Sequence, residues 1–250
     1  MLAALLELAP TGVEQIDGEG FVEYAVYGAP GELPALPLGE AHVAGVPVLV
    51  SGEQVADDWA DRWRRFHRPV LVRDRLFVRP PWCEPRPGTL DVVIDPARAF
   101  GTGAHPTTRL CLELLLELDP RGSLADLGCG SGVLAIAAAR LGFGPVIAVD
   151  SDGAALEATR ANAGANGVVL EAVERRNLRE QVAPPATTVV ANLTRSLLLR
   201  VAGLMSEPPA ALVVSGMLAA EADEAAAAFS PLRERGRRRA GGWSALLLTG

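Results

Sequence analysis

From residue 90 to the end of the chain, short apolar runs alternate with longer stretches of helical character. Runs of this length are typical of buried strands, and the Ala- and Leu-rich stretches between them predict crossover helices. This alternation predicts an α/β fold with a largely parallel sheet. The predicted strands are residues 123–127, 146–149, 168–173, 187–192, 211–215 and 243–248, and the predicted helices include residues 107–118, 133–141, 153–165, 197–199 and 221–228.

The first 52 residues have a different pattern, which predicts a small α+β module. Leu and Ala dominate residues 2–9 and predict a short helix, while β-branched and aromatic residues predict a strand over residues 21–27. Residues 31–39 are rich in Pro and Gly and predict a loop. A second strand is expected at residues 46–50, where Pro47 places it at the edge of a sheet.

Between these two regions, the sequence predicts a linker that contains one amphipathic helix, over residues 57–67. Trp59, Trp63 and Phe66 recur at helical spacing and form one apolar stripe, which favours interdomain packing over a ligand-binding cage. The Pro-rich residues 79–88 then predict a semi-rigid spacer. The resulting division is a module at residues 1–52, a linker at residues 53–88 and an α/β domain at residues 89–250.

Composition and charge narrow the class of protein. The 250 residues are 49% hydrophobic and 21% charged, which suits a globular chain of one large or two small domains. The net charge of −7 does not favour nonspecific attraction to nucleic-acid phosphate, and it suits a basic protein or a cationic substrate better. Lysine is absent and all the basic side chains besides histidine are Arg, which indicates a coding bias, so arginine runs are not interpreted as phosphate sites.

The first ten residues, the apolar runs and the cysteines argue against a secreted or membrane protein and against a metal site or disulfide framework. Residues 1–10 lack the basic start of a secretory signal, and no apolar run reaches the length of a membrane span. The three cysteines have neither metal-ligand spacing nor that of a disulfide framework. We therefore expect a soluble cytoplasmic protein without a bound metal and without a membrane partner.

Residues 126–132, Asp-Leu-Gly-Cys-Gly-Ser-Gly, lie between an apolar run and a helix-like segment. A strand, a glycine turn and a helix in this order let the backbone come close to a bound cofactor. A dinucleotide-binding turn has the spacing Gly-x-Gly-x-x-Gly, whereas these glycines are spaced Gly-x-Gly-x-Gly behind an acidic residue. This pattern resembles motif I of class I S-adenosylmethionine (SAM)-dependent methyltransferases and marks Gly128 and Gly130 as candidate cofactor contacts. An ordinary tight turn is the alternative.

Two acidic residues near this motif suit cofactor binding. Asp150 ends a predicted strand about 20 residues beyond the glycine turn, where a carboxylate can accept hydrogen bonds from ribose hydroxyls. Asp126 has two possible roles, contact with the methionine ammonium or orientation of the turn, and both stay open. Asp152 is interpreted as the N-cap of the next helix.

Asn192 ends another predicted strand, at the position where class I methyltransferases present residues to the methyl acceptor. The following residues, Leu193 and Thr194, provide no aromatic ring to hold a flipped base, which disfavours DNA methylation. Asn192 is therefore a candidate to orient an acceptor amine, with a plain turn residue as the alternative.

A second informative stretch, residues 95–108, precedes the glycine motif. Gly101 and Gly103 allow the chain to wrap closely, and a helix that begins at Thr107 points free N–H groups back at the site. We expect this loop to close over a bound cofactor. His105 is interpreted as a residue that fixes the loop rather than as a base.

Four stretches together resemble the bacterial ribosomal protein L11 methyltransferases (PrmA type): residues 100–108, 126–132, 149–150 and 191–193. The predicted helix near residue 60 also resembles that family's interdomain linker, so the resemblance covers roughly residue 53 to the end. It implies a Rossmann-like methyltransferase domain that uses SAM to methylate amino groups, lysine side chains included, of a basic ribosomal protein. It also implies cofactor contacts at Thr107, Gly128, Asp150 and Asn192, to which the glycine motif adds Gly130.

The front of the chain departs from that family. The family's N-terminal module is ferredoxin-like and opens with a strand, whereas this chain opens on the predicted helix at residues 2–9. We expect either a late start of the sequence or an altered recognition module. Three alternatives stay open: a methyltransferase that acts on another protein or a small amine, a SAM-binding protein without catalysis, and a nicotinamide oxidoreductase. The sequence assigns no catalytic base, and it predicts no direct nucleic-acid contact.

Overall fold

The computed structural model describes residues 14–18, 21–25, 38–43, 45–52, 67–96 and 103–250, and for residues 14–18 it describes the backbone alone. The chain divides into two compact units, residues 1–62 and residues 63–250. The helix expected at residues 2–9, most of the loop expected at residues 31–39 and residues 57–66 of the expected linker helix lie outside the described residues.

Two antiparallel hairpins make up the described part of the first unit. Strand β1 (Glu14–Gly18) pairs with β2 (Phe21–Ala25), and β3 (Gly39–Val43) pairs with β4 (Val46–Val50). The strand predicted at residues 46–50 is confirmed, and the one predicted at residues 21–27 is described over β2. The sequence analysis missed β1 and β3, because few of their residues are large and apolar and the alternation in β3 involves only Ala41 and Val43.

The second unit begins with a three-stranded sheet of β5 (Val70–Val72), β6 (Leu76–Arg79) and β7 (Leu90–Val93). β5 and β6 pair antiparallel, whereas β6 and β7 pair parallel. Arg79 ties the last two strands together through a two-pronged ion pair with Asp91, at 2.7 and 2.8 Å. The second half of the expected linker thus belongs to the second unit. Strands of three or four residues are too short for their pattern to stand out beside a Pro-rich segment.

A seven-stranded sheet forms the centre of the second unit. Its strands are β8 (Leu124–Leu127), β9 (Val146–Asp150), β10 (Ala172–Arg175), β11 (Thr188–Asn192), β12 (Ala211–Leu218), β13 (Arg233–Ala240) and β14 (Trp243–Thr249). The strand order is β10-β9-β8-β11-β12-β14-β13, and all neighbours are parallel except β12–β14 and β14–β13. This confirms the predicted α/β class with a Rossmann-like sheet.

Helices cover both faces of this sheet. They are α1 (Pro106–Leu115), α2 (Val133–Leu141), α3 (Gly153–Ala165), α4 (Arg195–Leu204) and α5 (Ala222–Ala228). Alternate residues of β11 belong to two separate buried clusters: Val190 to one, and Val189 and Ala191 to the other. The first cluster includes residues of α1, α2 and α3, and the second includes residues of α4 and α5. The buried core therefore lies in two layers, one on each face.

One expectation for the sheet was wrong, and one strand was missed. The strand expected at residues 168–173 is displaced to β10, because Val168 and Leu170 pack against the core from an irregular segment that follows α3. Strand β13 was not predicted at all. It is an edge strand with the sequence Arg-Glu-Arg-Gly-Arg-Arg-Arg-Ala, so it carries almost no apolar signal, and its pairing with β14 is what makes it a strand.

Candidate functional site

The candidate cofactor residues gather at the carboxyl edge of the seven-stranded sheet. The glycine turn, residues 128–132, follows β8, while Asp150 is the last residue of β9 and Asn192 is the last residue of β11. β8 lies between β9 and β11, so the strand order reverses across it. In open α/β sheets, ligands bind in the crevice at such a switch point. This edge is therefore the candidate site.

The glycine turn has a shape that its glycines make possible. Gly128, Gly130 and Gly132 have φ angles of 73°, 51° and 80°. A Cβ on Gly128 would lie 2.3 Å from Leu193 Cδ2, and a Cβ on Gly132 would lie 2.9 Å from Thr159 Cγ2. The positive φ angles favour glycine at all three positions, and at Gly132 the Cα of Thr159, 3.1 Å from an added Cβ, is a packing constraint as well.

Several backbone donors of the turn are already used within the protein. The N–H groups of Gly128 and Cys129 donate to Val149 O at 2.8 and 3.0 Å. The N–H of Gly130 donates to Asp150 Oδ2 at 3.0 Å. A phosphate-binding turn instead directs its free N–H groups at the ligand. The turn therefore favours a cofactor whose nearby portion carries no pyrophosphate.

Asp126 is fully buried between β8 and α2, with 0% of the residue exposed. Its Oδ2 accepts a hydrogen bond from Ala135 N–H in the first turn of α2 at 3.0 Å, and Oδ1 has no hydrogen-bond partner among the described residues. Burial, together with the nearby charge of Asp150, raises the pKa of the Asp126 carboxyl to about 7. Of the two roles left open, full burial supports orientation of the turn over contact with a ligand's ammonium.

The position of Asp126 also bears on the charge of the ligand. A helix N-terminus attracts anions, and at α2 the protein's own carboxylate occupies that place. A pyrophosphate brought to the same helix end would compete with this acceptor for the backbone N–H groups. The site therefore disfavours a nicotinamide dinucleotide.

Asp150 is half-buried and held by two backbone donors. Its Oδ1 accepts from Asp152 N–H at 3.0 Å, in addition to the bond between Oδ2 and Gly130. Each carboxylate oxygen retains a further lone pair for a ligand hydroxyl. Asp152 itself caps α3 by accepting from Ala154 N–H at 3.0 Å, which confirms its predicted N-cap role.

Asn192 joins the end of β11 to the start of α1. Its Nδ2 donates to Thr108 Oγ1 at 3.3 Å, and Thr108 is 1% exposed. The neighbouring Thr107 is 2% exposed, and its Oγ1 lies 2.7 Å from His105 Nδ1. The candidates Thr107 and Asn192 therefore lie on segments that are linked through Thr108, while Gly130 and Asp150 are in direct contact.

His105 is the N-cap of α1. Its Nδ1 accepts from Thr107 N–H at 3.3 Å, and burial lowers the pKa of the imidazole. The ring also meets Trp243 edge to face, with centroids 5.1 Å apart. A neutral ring that accepts at Nδ1 and is packed in this way supports the interpretation that His105 fixes the loop.

Gly216 is a site residue that the sequence did not single out. It lies at an irregularity in β12, has a φ of 91°, and a Cβ there would lie 2.1 Å from Leu193 O. Leu193 N–H donates to Ser215 O at 3.0 Å on the same strand. Gly216 therefore lets β12 pass directly beside the residue that follows Asn192. A glycine that interrupts an apolar strand is the signal for such a close approach.

A polar row that runs along the buried face of α3 to its C-cap was missed as well. Its members, Thr159, Asn162 and Asn166, are 0%, 2% and 5% exposed. Thr159 Oγ1 donates to Gly130 O at 3.0 Å, and Asn162 Nδ2 donates to Ser131 O at 2.8 Å. Asparagine is a weak helix former, so Asn162 on the apolar face of α3 and Asn166 at its C-cap are the signal that sequence alone offers.

The part of the chain that the structure describes contains no group of three or more His, Cys, Asp or Glu side chains placed to hold a metal ion. None of the helices in those residues is long and apolar enough to cross a membrane. Burial raises the pKa of the Cys129 thiol to about 12, so this residue of the glycine turn stays protonated.

Residues 40–249 match the family model described as Ribosomal protein L11 methyltransferase (PrmA). A curated relative named ribosomal protein L11 methyltransferase, from Symbiobacterium thermophilum, is 40% identical over 199 residues, which are 76% of this chain and 65% of the relative. A relative of the same name from Pectobacterium atrosepticum is 40% identical over 215 residues, 82% of this chain and 72% of that protein. The chain spans 61–75% of the length of the curated relatives that it matches here.

Two solved structures are similar to the fold. The ribosomal protein L11 methylase from Lactobacillus delbrueckii subsp. bulgaricus has a TM-score of 0.64 at 28% identity, over 73% of this chain and 98% of that chain. The tRNA (uracil-54, C5)-methyltransferase from Pyrococcus abyssi, solved in complex with S-adenosyl-L-homocysteine, has a TM-score of 0.53 at 21% identity. That likeness covers 70% of this chain and 45% of the other, and it supports the fold alone.

Proposed function

The chain belongs to the PrmA family of ribosomal protein L11 methyltransferases, and we propose that it transfers methyl groups from SAM to amino groups of ribosomal protein L11. Lysine side chains are the proposed acceptors. The observation that carries the proposal is the alignment of Asp150, the glycine turn and Asn192 at the ends of three adjacent parallel strands, within the residues that match the family.

The residues of the site fit SAM. Asp150 offers carboxylate lone pairs to ribose hydroxyls, and the turn at Gly128 and Gly130 lets the backbone come close to the ligand. Thr107 and Asn192 bound the other side of the site, from α1 and β11. The N–H groups of Gly128 and Gly130 are already bonded within the protein, which suits SAM because it carries no phosphate. We propose that SAM is contacted by Thr107, Gly128, Gly130, Asp150 and Asn192.

Bound SAM supplies a methyl group on a sulfonium, which a neutral amine can displace. The task of the protein is to place that amine in line with the methyl and to exclude water. We propose that Asn192 orients the amine, because it ends β11 and its side chain is fixed by Thr108. A lysine with an ordinary pKa of about 10.4 must lose its proton first, so methyl transfer should rise with pH. We assign no catalytic base, since His105 already accepts hydrogen bonding at Nδ1.

The substrate is proposed to be a basic protein, which suits the net charge of −7. Residues 1–52 are the proposed recognition module for that protein, and the segment that follows connects the module to the methyltransferase domain. Tethering by such a module raises the effective concentration of the target amine at the site. We propose that the chain acts in the cytoplasm, because its proposed substrate is a ribosomal protein.

Incubation of the full chain with purified ribosomal protein L11 and methyl-labelled SAM tests the proposal, with the products mapped by mass spectrometry. We expect label on lysine amino groups, and less of it with Asp150→Ala than with the control Asp119→Ala, which alters an exposed ion pair with Arg121. Label on another protein alone would make the substrate assignment wrong. Binding of SAM without any transfer would indicate a SAM-binding protein, and binding of NAD instead of SAM would overturn the cofactor.

A further inference from the structure

The asparagines of the polar row on α3 make contacts for which the proposed reaction does not account. Asn166 Oδ1 accepts from Val93 N–H at 2.8 Å, and Asn166 Nδ2 donates to Val93 O at 2.7 Å. Asn162 Oδ1 accepts from Asp95 N–H at 3.1 Å. The two carboxamides therefore bond to the main chain at the end of β7 as a neighbouring strand would.

The geometry of helices and strands explains this pairing. Four residues of an α-helix rise about 6.0 Å. Two residues of a strand advance about 6.6 Å, and the N–H and C=O groups of the second residue then point to the same side of the strand as those of the first. Asn162 and Asn166 lie four residues apart, and Val93 and Asp95 lie two apart, so the two spacings match. The helix thereby acts as a substitute strand on the open edge of β7.

The same row also holds the glycine turn. Asn162 Nδ2 donates to Ser131 O at 2.8 Å, and Thr159 Oγ1 donates to Gly130 O at 3.0 Å. Asn166 Nδ2 donates in addition to Asn162 O at 2.8 Å, which links the two asparagines. Asn162 is thus a direct bridge from the turn to Asp95, and Asn166 supports it from the next turn of the helix.

A purely structural role would be to satisfy buried polar groups, and any well-satisfied network does so. The contacts go further than that, because they connect two segments that both lead to proposed cofactor contacts. One is the glycine turn itself. The other is the three-stranded sheet, in which β7 pairs with β6, and a Cβ on Gly103, four residues before Thr107, would lie 2.8 Å from Val78 Cγ1 of β6.

We propose that Asn162 and Asn166 are positioning residues of the cofactor site. They hold the end of β7, and through its partner β6 the contact between Val78 and Gly103 ahead of Thr107, in a fixed relation to the glycine turn. The inference rests on the proposed function only in that SAM affinity is one of its readouts. The other readout, hydrogen exchange without any ligand, does not depend on that function.

Asn166→Asp is the main test variant, because it keeps the shape of the side chain and the acceptor for Val93 N–H. It replaces the donor to Val93 O by an oxygen, and Asn166 itself makes no hydrogen bond to the glycine turn among the described residues. The matched control is Asn177→Asp in the turn after β10, where Oδ1 accepts from Arg179 N–H and an aspartate keeps that bond. Asn166→Ser is the second variant if the aspartate chain does not fold.

In ligand-free hydrogen exchange, we expect amides of residues 103–112 to exchange at least about threefold faster in the Asn166 variant than in the control, because local opening costs less there. Exchange in β8 and α2 should stay the same. Equal exchange in residues 103–112, or a uniform rise over the whole chain, would overturn the proposal, since the asparagine would then contribute only to overall stability.

Calorimetry with SAM gives the second measurement, at a temperature where both variants are fully folded. We expect the Kd for SAM to rise about fivefold to tenfold in the Asn166 variant, because a site that is less preorganised binds more weakly. A Kd equal to that of the control would overturn the positioning role. If the unaltered chain does not bind SAM, the proposed function is wrong, and the exchange experiment decides the positioning role by itself.

Discussion

The two strand ends that bound the candidate site, at β8 and at β11, are held in different ways. At β8, hydrogen bonds hold the glycine turn from both sides: Asp150 binds Gly130 N–H, and Thr159 binds Gly130 O. At β11, close packing adds to the backbone hydrogen bond from Leu193 N–H to Ser215 O, because Gly216 brings β12 directly against the backbone of Leu193. In the described residues, the side chain of Asn192 has a single hydrogen-bond partner, Thr108.

This difference matches the tasks proposed for the two ends. An end held by many polar contacts is preorganised, so it can meet a charged ligand without first rearranging. At an end held by packing, the backbone is fixed. Its polar side chain then breaks fewer hydrogen bonds when the methyl acceptor binds. The comparison predicts that changes at β8 alter cofactor binding and stability with pH, whereas changes at β11 alter transfer to the acceptor.

The largest effect is expected from Asp126→Asn. The pKa of about 7 in the folded chain lies above the ordinary value of 3.8, so the folded state binds this proton more tightly than the unfolded state does. Between about pH 4 and pH 7, the free energy of unfolding should therefore fall as pH rises, by up to about 1.4 kcal/mol per pH unit from this group. Asparagine keeps an acceptor for Ala135 N–H and removes the titration.

Chemical denaturation across this pH range measures the difference between the two chains. The free energy of unfolding of Asp126→Asn minus that of the unaltered chain should increase as pH rises to about 7 and stay constant above that pH. Stability curves that run parallel over the whole range would show that Asp126 is not the titrating group.

Gly216→Ala should have the next largest effect, and it tests the packed end. The φ of 91° strains any other residue, and the added Cβ overlaps Leu193 O. We expect a loss of about 1–3 kcal/mol from backbone strain, with the overlap in addition, and a large fall in methyl transfer. Gly203→Ala is the control, because a Cβ in that helix position meets nothing within 4 Å. Equal melting temperatures for the two variants would contradict the close approach of β11 and β12.

Asp150→Ala tests the polar end at smaller magnitude. Loss of the carboxylate leaves the N–H groups of Gly130 and Asp152 without their acceptor and removes the proposed ribose contact. SAM should bind about 1–3 kcal/mol more weakly, roughly 5- to 150-fold in Kd. Calorimetry against the surface control Asp119→Ala measures this, and an unchanged affinity would take Asp150 out of the site.

The smallest effect is expected from Thr108→Val, which removes the partner of Asn192 without a change in shape. One neutral hydrogen bond contributes about 0.5–1.5 kcal/mol, so kcat should fall by a few-fold to about tenfold. The Kd for SAM should stay within about twofold of the unaltered value, and Thr108→Ser should restore kcat because it keeps the hydroxyl. A loss of SAM affinity with an intact kcat would reverse the roles given to the two strand ends.

The parts of this site that sequence could predict are those that follow from chain order. A strand, three closely spaced glycines and a helix place Gly128 and Gly130 at a strand end, and the next strand carries Asp150 to the adjacent one. The N-cap role of Asp152 can be predicted for the same reason, because its side chain accepts a hydrogen bond from the N–H of Ala154, two residues later.

The parts that sequence could not predict depend on contacts between distant segments. Gly216 matters because of Leu193, 23 positions earlier, and Asn166 matters because of Val93, 73 positions earlier. The arginine-rich β13 is a strand only because β14 pairs with it. Likewise, nothing local distinguishes a ligand-facing Asp126 from a buried one, since burial is decided by packing against α2.

The match between α3 and β7 has a consequence for how this region can change in length. One residue inserted between Asn162 and Asn166 would rotate everything after it by about 100° and shift it by about 1.5 Å along the axis. Asn166 would then leave the edge of β7, although no side chain had been replaced. Exposed positions such as Glu157 and Ala161 should accept other residues, yet α3 should tolerate neither an insertion nor a deletion between Thr159 and Asn166. The connection from α4 to β12, residues 205–210, is not bound by this constraint and should accept both.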